Sequence, residues 1–215
     1  MGNFSYTVTE VEGWAAAARL GYFAMDILNP PEGTIWGKFN DRPIDLPQID
    51  KLVEDFSGRL MNSSEVFAMF VAVKKEWVKN LPQISKEVAG LTMDKLPLIE
   101  FTPEALEEIA KTEGLWMLSG NHRRRALTIH VQKLRVQLEE LQERKRKLHL
   151  KQREAGYDRN LDAREKRVDR EIKLVMDAIV MDSRWLVRVF DRGAWPPSKA
   201  RRRDGRRCLR YAARA

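Results

Sequence analysis

The residues best equipped for chemistry are contiguous: Gly120-Asn121-His122-Arg123-Arg124-Arg125-Ala126. They follow a short apolar run, Leu115 to Leu118, that reads as a strand, and they open a long helical pattern. A helix N-terminus offers backbone N–H groups without intrahelical partners and a partial positive charge, and anions bind there. Gly120 permits a sharp turn and close backbone approach to a ligand. His122 adds a donor, and the arginines add planar forks that suit phosphate oxygens. On a helix, positions 122 and 125 share a face while 123 and 124 point elsewhere. The expected core of a phosphate site is therefore Gly120, Asn121, His122 and Arg123, with Arg125 or Arg124 in support. The competing interpretation is a solvated basic patch. Against it, a cation at a helix N-terminus is unfavourable by roughly a few tenths of a kcal/mol, so three adjacent arginines there call for a balancing anion.

Other candidates are sparser. Asp41, Asp45 and Asp50 could bring a magnesium ion beside a nucleotide, Asp45 foremost, although such acids more often cap helices or stay solvated. Glu100, near an expected strand end, is a candidate base. His130 and His149 lie in charged helical sequence and are expected at the surface. No His/Cys cluster has zinc spacing, and no Gly-rich Walker loop is present. Trp14, Trp36, Trp77 and Trp116 are expected in the core.

The elements that must position the box are legible in part. Gly13 to Leu20 fits a short helix. Asn29-Pro30-Pro31-Glu32-Gly33 is a turn, and Thr34 to Phe39 a short strand. Asp45 can cap a helix whose stripe is Leu46, Ile49, Leu52, Val53 and Phe56, ending near Gly58. Val66 to Val73 reads as a buried strand. Trp77 to Pro97 reads as a loop-rich insert with one short helix, and Leu98 to Phe101 as a strand. Thr102-Pro103-Glu104 opens a helix running to about Lys111. From Ala126 two apolar stripes follow. The first is Ile129 or Val131, Leu134, Leu138, Leu141 and Leu148; the second is Leu161, Val168, Ile172, Val175 and Ile179. Gly156-Tyr157-Asp158 between them marks a hinge, so an antiparallel hairpin, pairing with another chain and one long charged helix are all open. Arg184 to Phe190 reads as a late strand or a helix end.

Charge is unevenly placed. The net charge is +8, and residues 196–215 carry eight basic side chains and one acid. A tail of that kind can contact nucleic-acid backbones without sequence preference, or serve as a nuclear-targeting cluster. The run Arg144-Lys145-Arg146-Lys147 can act with it. Hydrophobic residues make up 43%, enough for a packed core, which excludes global disorder. No stretch is apolar enough for a membrane span. The polar start predicts no secretory signal, and the lone Cys208 forms no internal disulfide. The expected location is intracellular, cytoplasmic or nuclear.

The box resembles that of the ParB/sulfiredoxin-like superfamily. ParB-type nucleotide-binding domains carry Gly-Glu-Arg-Arg-x-x-Ala, and sulfiredoxin carries Gly-Cys-His-Arg. Here Gly120, Arg123 and Ala126 fall in register with the ParB box, and Gly120, His122 and Arg123 with that of sulfiredoxin. An Arg ahead of an amphipathic helix, with a strand after it, is a second shared feature; Arg42, the helix from Asp45 and the strand at 66–73 fit that order. The resemblance covers about Ile27 to Leu127. It implies binding of a nucleotide, ATP or CTP, with possible magnesium, by Gly120, Asn121, His122, Arg123 and Arg125, with Arg42 approaching from the opposite side. Asn121 stands where sulfiredoxin has its catalytic Cys and ParB its acid, which disfavours sulfinic-acid reduction and CTP hydrolysis.

The expected architecture is α+β, with a small mixed sheet flanked by helices and followed by a long coiled-coil-like helical segment. The segments are residues 1–21, an N-terminal piece; 22–127, the domain; 128–182, the helical segment; 183–195, a short strand or turn region; and 196–215, a basic disordered tail. The expected function is nucleotide or phosphate binding, with phosphotransfer or NTP hydrolysis as accessible activities. The alternative is an inactive binding module that uses residues 128–182 for a homo-oligomer or protein partner and the tail for nucleic acid.

Overall fold

A computed structural model describes residues 13, 15–36, 44–58, 60–90, 92–112, 114–155 and 158–194. Arg42, Asp41, Trp14, the Gly156-Tyr157 hinge, Cys208 and the basic tail lie outside them. The protein is α+β, built on a five-stranded mixed sheet. The strands are β1 (Arg19–Asp26), β2 (Ile35–Trp36), β3 (Met69–Val73), β4 (Trp116–Met117) and β5 (Arg184–Asp191), in spatial order β1-β5-β3-β4-β2. β5 runs antiparallel to β1 and parallel to β3; β4 runs antiparallel to β3 and parallel to β2.

Two strands depart from the sequence reading. β1 takes up the end of the expected Gly13–Leu20 helix, of which only Gly13 and Ala15–Ala18 are helical among the described residues. β5 stands in the middle of the sheet, between β1 and β3, so the segment expected as a short strand or turn region after the domain is one of its central strands. Conversely, Leu98 to Phe101 contributes only isolated bridges, Leu98 to Ala24 and Phe101 to Val78.

The sheet is covered on both faces, which explains the near-continuous burial along β1 and β5. Phe23, Met25, Met69, Val71, Val73, Met117, Trp185, Val187 and Val189 fill the main core. Three helices close over it: α1 (Leu46–Gly58) through Ile49, Val53 and Phe56, α2 (Pro103–Thr112) through Ala105 and Ile109, and α3 (Asn121–Ala155) through Ala126, Leu127 and Val131. The Thr102 hydroxyl accepts from Ala105 N–H at 3.2 Å and caps α2 as expected. On the other face, Tyr22, Ala24 and Leu186 pack under Val88, Met93 and Leu96. Val88, Met93 and Leu96 of the 77–97 insert thus cover that face, whereas its Trp77, Val78, Leu81 and Ile84 join the main core; its helical turns are short and 3-10.

The long helical segment is an antiparallel pair of α3 and α4 (Arg159–Asp182). Leu134, Leu138, Leu141 and Leu148 meet Val168, Ile172, Val175 and Ile179 along one seam. Val131, and not the half-exposed Ile129, continues the α3 stripe into the core. Asp158 caps α4, its side chain accepting from Asn160 N–H at 2.7 Å. The pair is an arm inserted between the α3 start and β5. No helix among the described residues is long and apolar enough to cross a membrane.

Candidate functional site

β2 and β4 are parallel neighbours, and each leads into a helix, β2 into α1 and β4 into α3. The carboxyl ends of parallel strands are where open α/β sheets hold ligands, because the following helices aim their N-termini there. The turn from β4 to α3 is made by Ser119 and Gly120. Ser119 Oγ accepts from Phe70 N–H at 3.1 Å and ties the turn to β3. Gly120 has φ +96°, and a Cβ there would lie 2.4 Å from Met69 Sδ. The left-handed backbone favours glycine at this position, and a Cβ would also make the Met69 side chain shift. Arg124 N–H donates to Gly120 O at 2.8 Å, so Gly120 caps α3 and the N–H groups of Asn121, His122 and Arg123 have no acceptor within the helix.

The side chains of the box diverge. His122 Nε2 accepts from the Asp45 backbone N–H at 3.0 Å. A neutral ring with Nε2 as acceptor carries its proton on Nδ1. This bond joins the first turn of α3 to the residue that precedes α1, so two positive helix ends meet at His122. Arg123 donates through Nη1 to Phe67 O at 2.7 Å and lies over the Phe67 ring at 5.6 Å. Burial lowers its pKa below the usual guanidinium value. The Phe67 carbonyl also accepts from Trp185 Nε1 at 2.8 Å. Arg123 therefore fastens the 65–67 turn to α3, while Trp185 fastens it to β5. Arg124 stacks 4.6 Å over the Trp36 ring, its pKa lowered by burial and by Arg125. Arg125 is exposed.

Of the expected site residues, Gly120, Asn121, His122 and Asp45 come together at the junction of α1 and α3, Arg125 is exposed one turn further along α3, and the Arg123 guanidinium is engaged with the chain's own backbone. Asp45 is an exposed acid, and no three His, Cys, Asp or Glu side chains among the described residues are grouped as metal ligands. Glu100 pairs with Lys79 at 3.4 Å on the surface. His130 corrects an expectation: it is only 8% exposed, and its Nε2 lies 3.0 Å from Asp182 Oδ2. The Phe56 ring meets it edge-on at 6.3 Å. It secures the root of the arm to α1. His149 is exposed as expected, 3.8 Å from Glu165.

A polar network on the opposite sheet face was not anticipated. Arg188, 7% exposed, donates to Glu65 Oε1 at 2.9 Å and lies against the Tyr22 and Phe70 rings. Tyr22 donates its hydroxyl to Glu65 and accepts from Arg19 at 2.7 Å. The hydrogen bond from Tyr22, with the neighbouring arginines, holds the Glu65 carboxyl below its ordinary pKa, while burial and the same bond raise that of Tyr22. The one available signal was an arginine inside an otherwise apolar strand, Trp185-Leu186-Val187-Arg188-Val189-Phe190.

Comparison with family models, with curated proteins and with solved structures finds no match for the chain.

Proposed function

We infer that the chain is a phosphate-ligand-binding protein of the ParB/sulfiredoxin-like kind, and that a nucleotide such as ATP or CTP is the ligand class. The observation that carries this reading is the convergence of the α1 and α3 N-termini at the carboxyl ends of two parallel strands, tied by the Asp45–His122 bond. The N–H groups of Asn121, His122 and Arg123 would receive phosphate oxygens. Arg125, exposed on the next turn of α3, would supply charge, with Arg42, which lies outside the described residues, as a second cation. Arg123 serves this site as a brace, since its guanidinium holds Phe67 O. Magnesium would reach the ligand through Asp45 and the phosphates themselves, as this ion commonly keeps few protein ligands and several waters. Phosphotransfer or hydrolysis would need a base at the phosphates, and Asp45 is the nearest candidate by sequence and position.

Calorimetric titration with ATP, CTP and GTP plus magnesium tests this reading. Micromolar binding of one of them, weakened at least tenfold by Arg125→Ala and by His122→Ala, supports it. Absence of binding by all three removes nucleotide as the ligand.

A second reading is a binding module in which the arm meets a protein partner or a second copy. It is favoured by exposed apolar side chains on α4, with Leu174 at 69% and Val180 at 52%. Apolar residues at that exposure on a paired helix leave part of its surface uncovered.

A further inference from the structure

We propose that the outer half of the α3–α4 arm is a binding surface for the phosphodiester backbone of a nucleic acid, separate from the box. The arm's seam residues from Leu134 outward pack against one another across the two helices. Charge is sorted along the molecule. Residues 143–171 hold eleven Lys or Arg and seven Asp or Glu, a net +4. Residues 1–131 and 183–195, the body with the α3 start that packs into it, hold seventeen Lys or Arg and nineteen Asp or Glu, a net −2. A basic arm tip on a near-neutral body turns the tip toward a polyanion.

Pairing within the arm does not absorb this surplus. Across the two helices Arg144 meets Glu171, Lys145 meets Asp169 and His149 meets Glu165. Those pairs fix the register. Seven residues further along α3 from Arg144, and seven back along α4 from Glu171, the same flank sets Lys151 opposite Arg164. Two cations face each other where the rest of the seam places opposite charges, which disfavours the folded arm unless an anion joins them. No carboxylate of the described residues pairs with Lys151, Arg153, Arg159 or Arg164. The helix dipole accounts for Lys151 and Arg153 near the end of α3. It opposes Arg159 in the first turn of α4 and does not reach Arg164 in the second. The four cations lie in the last two turns of α3 and the first two turns of α4, so they gather at the outer end of the arm. Nothing in that cluster reads bases, so the expected binding is by backbone, without sequence preference.

The test is fluorescence anisotropy of a labelled 20-base-pair DNA duplex and a 20-nucleotide RNA with the full chain, at several salt concentrations. The variants are Lys151→Gln/Arg153→Gln/Arg164→Gln and the single Lys151→Glu. The triple variant should bind more weakly, and its slope of log affinity against log salt on the duplex should be shallower by about 2.7, at roughly 0.9 per lost phosphate contact. The RNA arm distinguishes single-stranded from duplex backbone. Lys151→Glu should raise the melting temperature, by pairing with Arg164, while still weakening binding. Unchanged affinity and slope in the triple variant, or poly-glutamate competing as well as DNA, would overturn the proposal; the second result would assign the arm to an acidic protein.

Discussion

His122 accepts a hydrogen bond from the backbone N–H of Asp45 through Nε2 at 3.0 Å, across 77 residues of sequence. One imidazole thereby couples the starts of α1 and α3 and fixes its own tautomer. Protonating that ring removes the acceptor. A His122→Phe variant keeps the ring but not the bond, and it is expected to lose about 1 kcal/mol of stability. Urea denaturation at neutral pH measures this, and a midpoint unchanged from the parent would show the bond to be worth nothing.

Gly120 cannot be replaced cheaply. Its φ of +96° disfavours any side chain, and a Cβ would collide with Met69 Sδ, Cγ and Cε. Gly120→Ala is expected to cost about 2–4 kcal/mol, from left-handed backbone and overpacking together. Thermal denaturation reads the loss. A drop of only a few tenths of a kcal/mol would mean that Met69 moves aside and that the turn relaxes.

Arg123 and Arg125 should separate stability from binding. Arg123→Ala leaves Phe67 O with Trp185 Nε1 alone, so about 1 kcal/mol of stability should go. Arg125→Ala touches nothing folded, and the melting temperature should stay within error while anion affinity falls. The two readouts, a melt and a phosphate titration on each variant, would sink this division if Arg123→Ala melted like the parent and Arg125→Ala did not.

These side chains also mark what local sequence conveys. The box, the α2 cap at Thr102 and both arm stripes were legible because each is a short-range pattern: a turn residue, a capping side chain, an apolar period. β1 was not, because Gly21 to Met25 is buried on both sheet faces and shows no alternation. Gly21 adds to the difficulty: its positive φ lets Ser85 O approach where a Cβ would stand, and reads in sequence as a breaker. The place of β5 depends on pairing with β3 across the whole inserted arm, which no local pattern encodes. His130 looked solvated among charged neighbours, since its partner Asp182 is 52 residues away. The role of Arg123 was hidden for the same reason. A guanidinium in a basic run looks available until the carbonyl of Phe67 is placed beside it.

The Tyr22–Glu65–Arg188 network should shape the pH dependence of stability. Glu65 has a depressed pKa when folded, so its contribution is present above the unfolded value and is lost as pH falls through the folded one. Tyr22 has a raised pKa, so its contribution is present below the unfolded value near 10.0 and is lost as pH rises through the folded one. Glu65→Gln should flatten the acid limb of a stability-against-pH curve, and Tyr22→Phe the alkaline limb. Acid and alkaline limbs that match the parent in both variants would remove the network from the pH response.

The most direct measurement is backbone amide NMR of the full chain during titration with CTP, ATP and inorganic phosphate in the presence of magnesium. The amides of Asn121, His122 and Arg123 are expected to shift together with those of Asp45 and Leu46, saturably, and to stay still in the Arg125→Ala variant at the same concentrations. Shifts confined to residues 143–171, with the α1 and α3 N-termini unmoved by every ligand, would contradict that expectation.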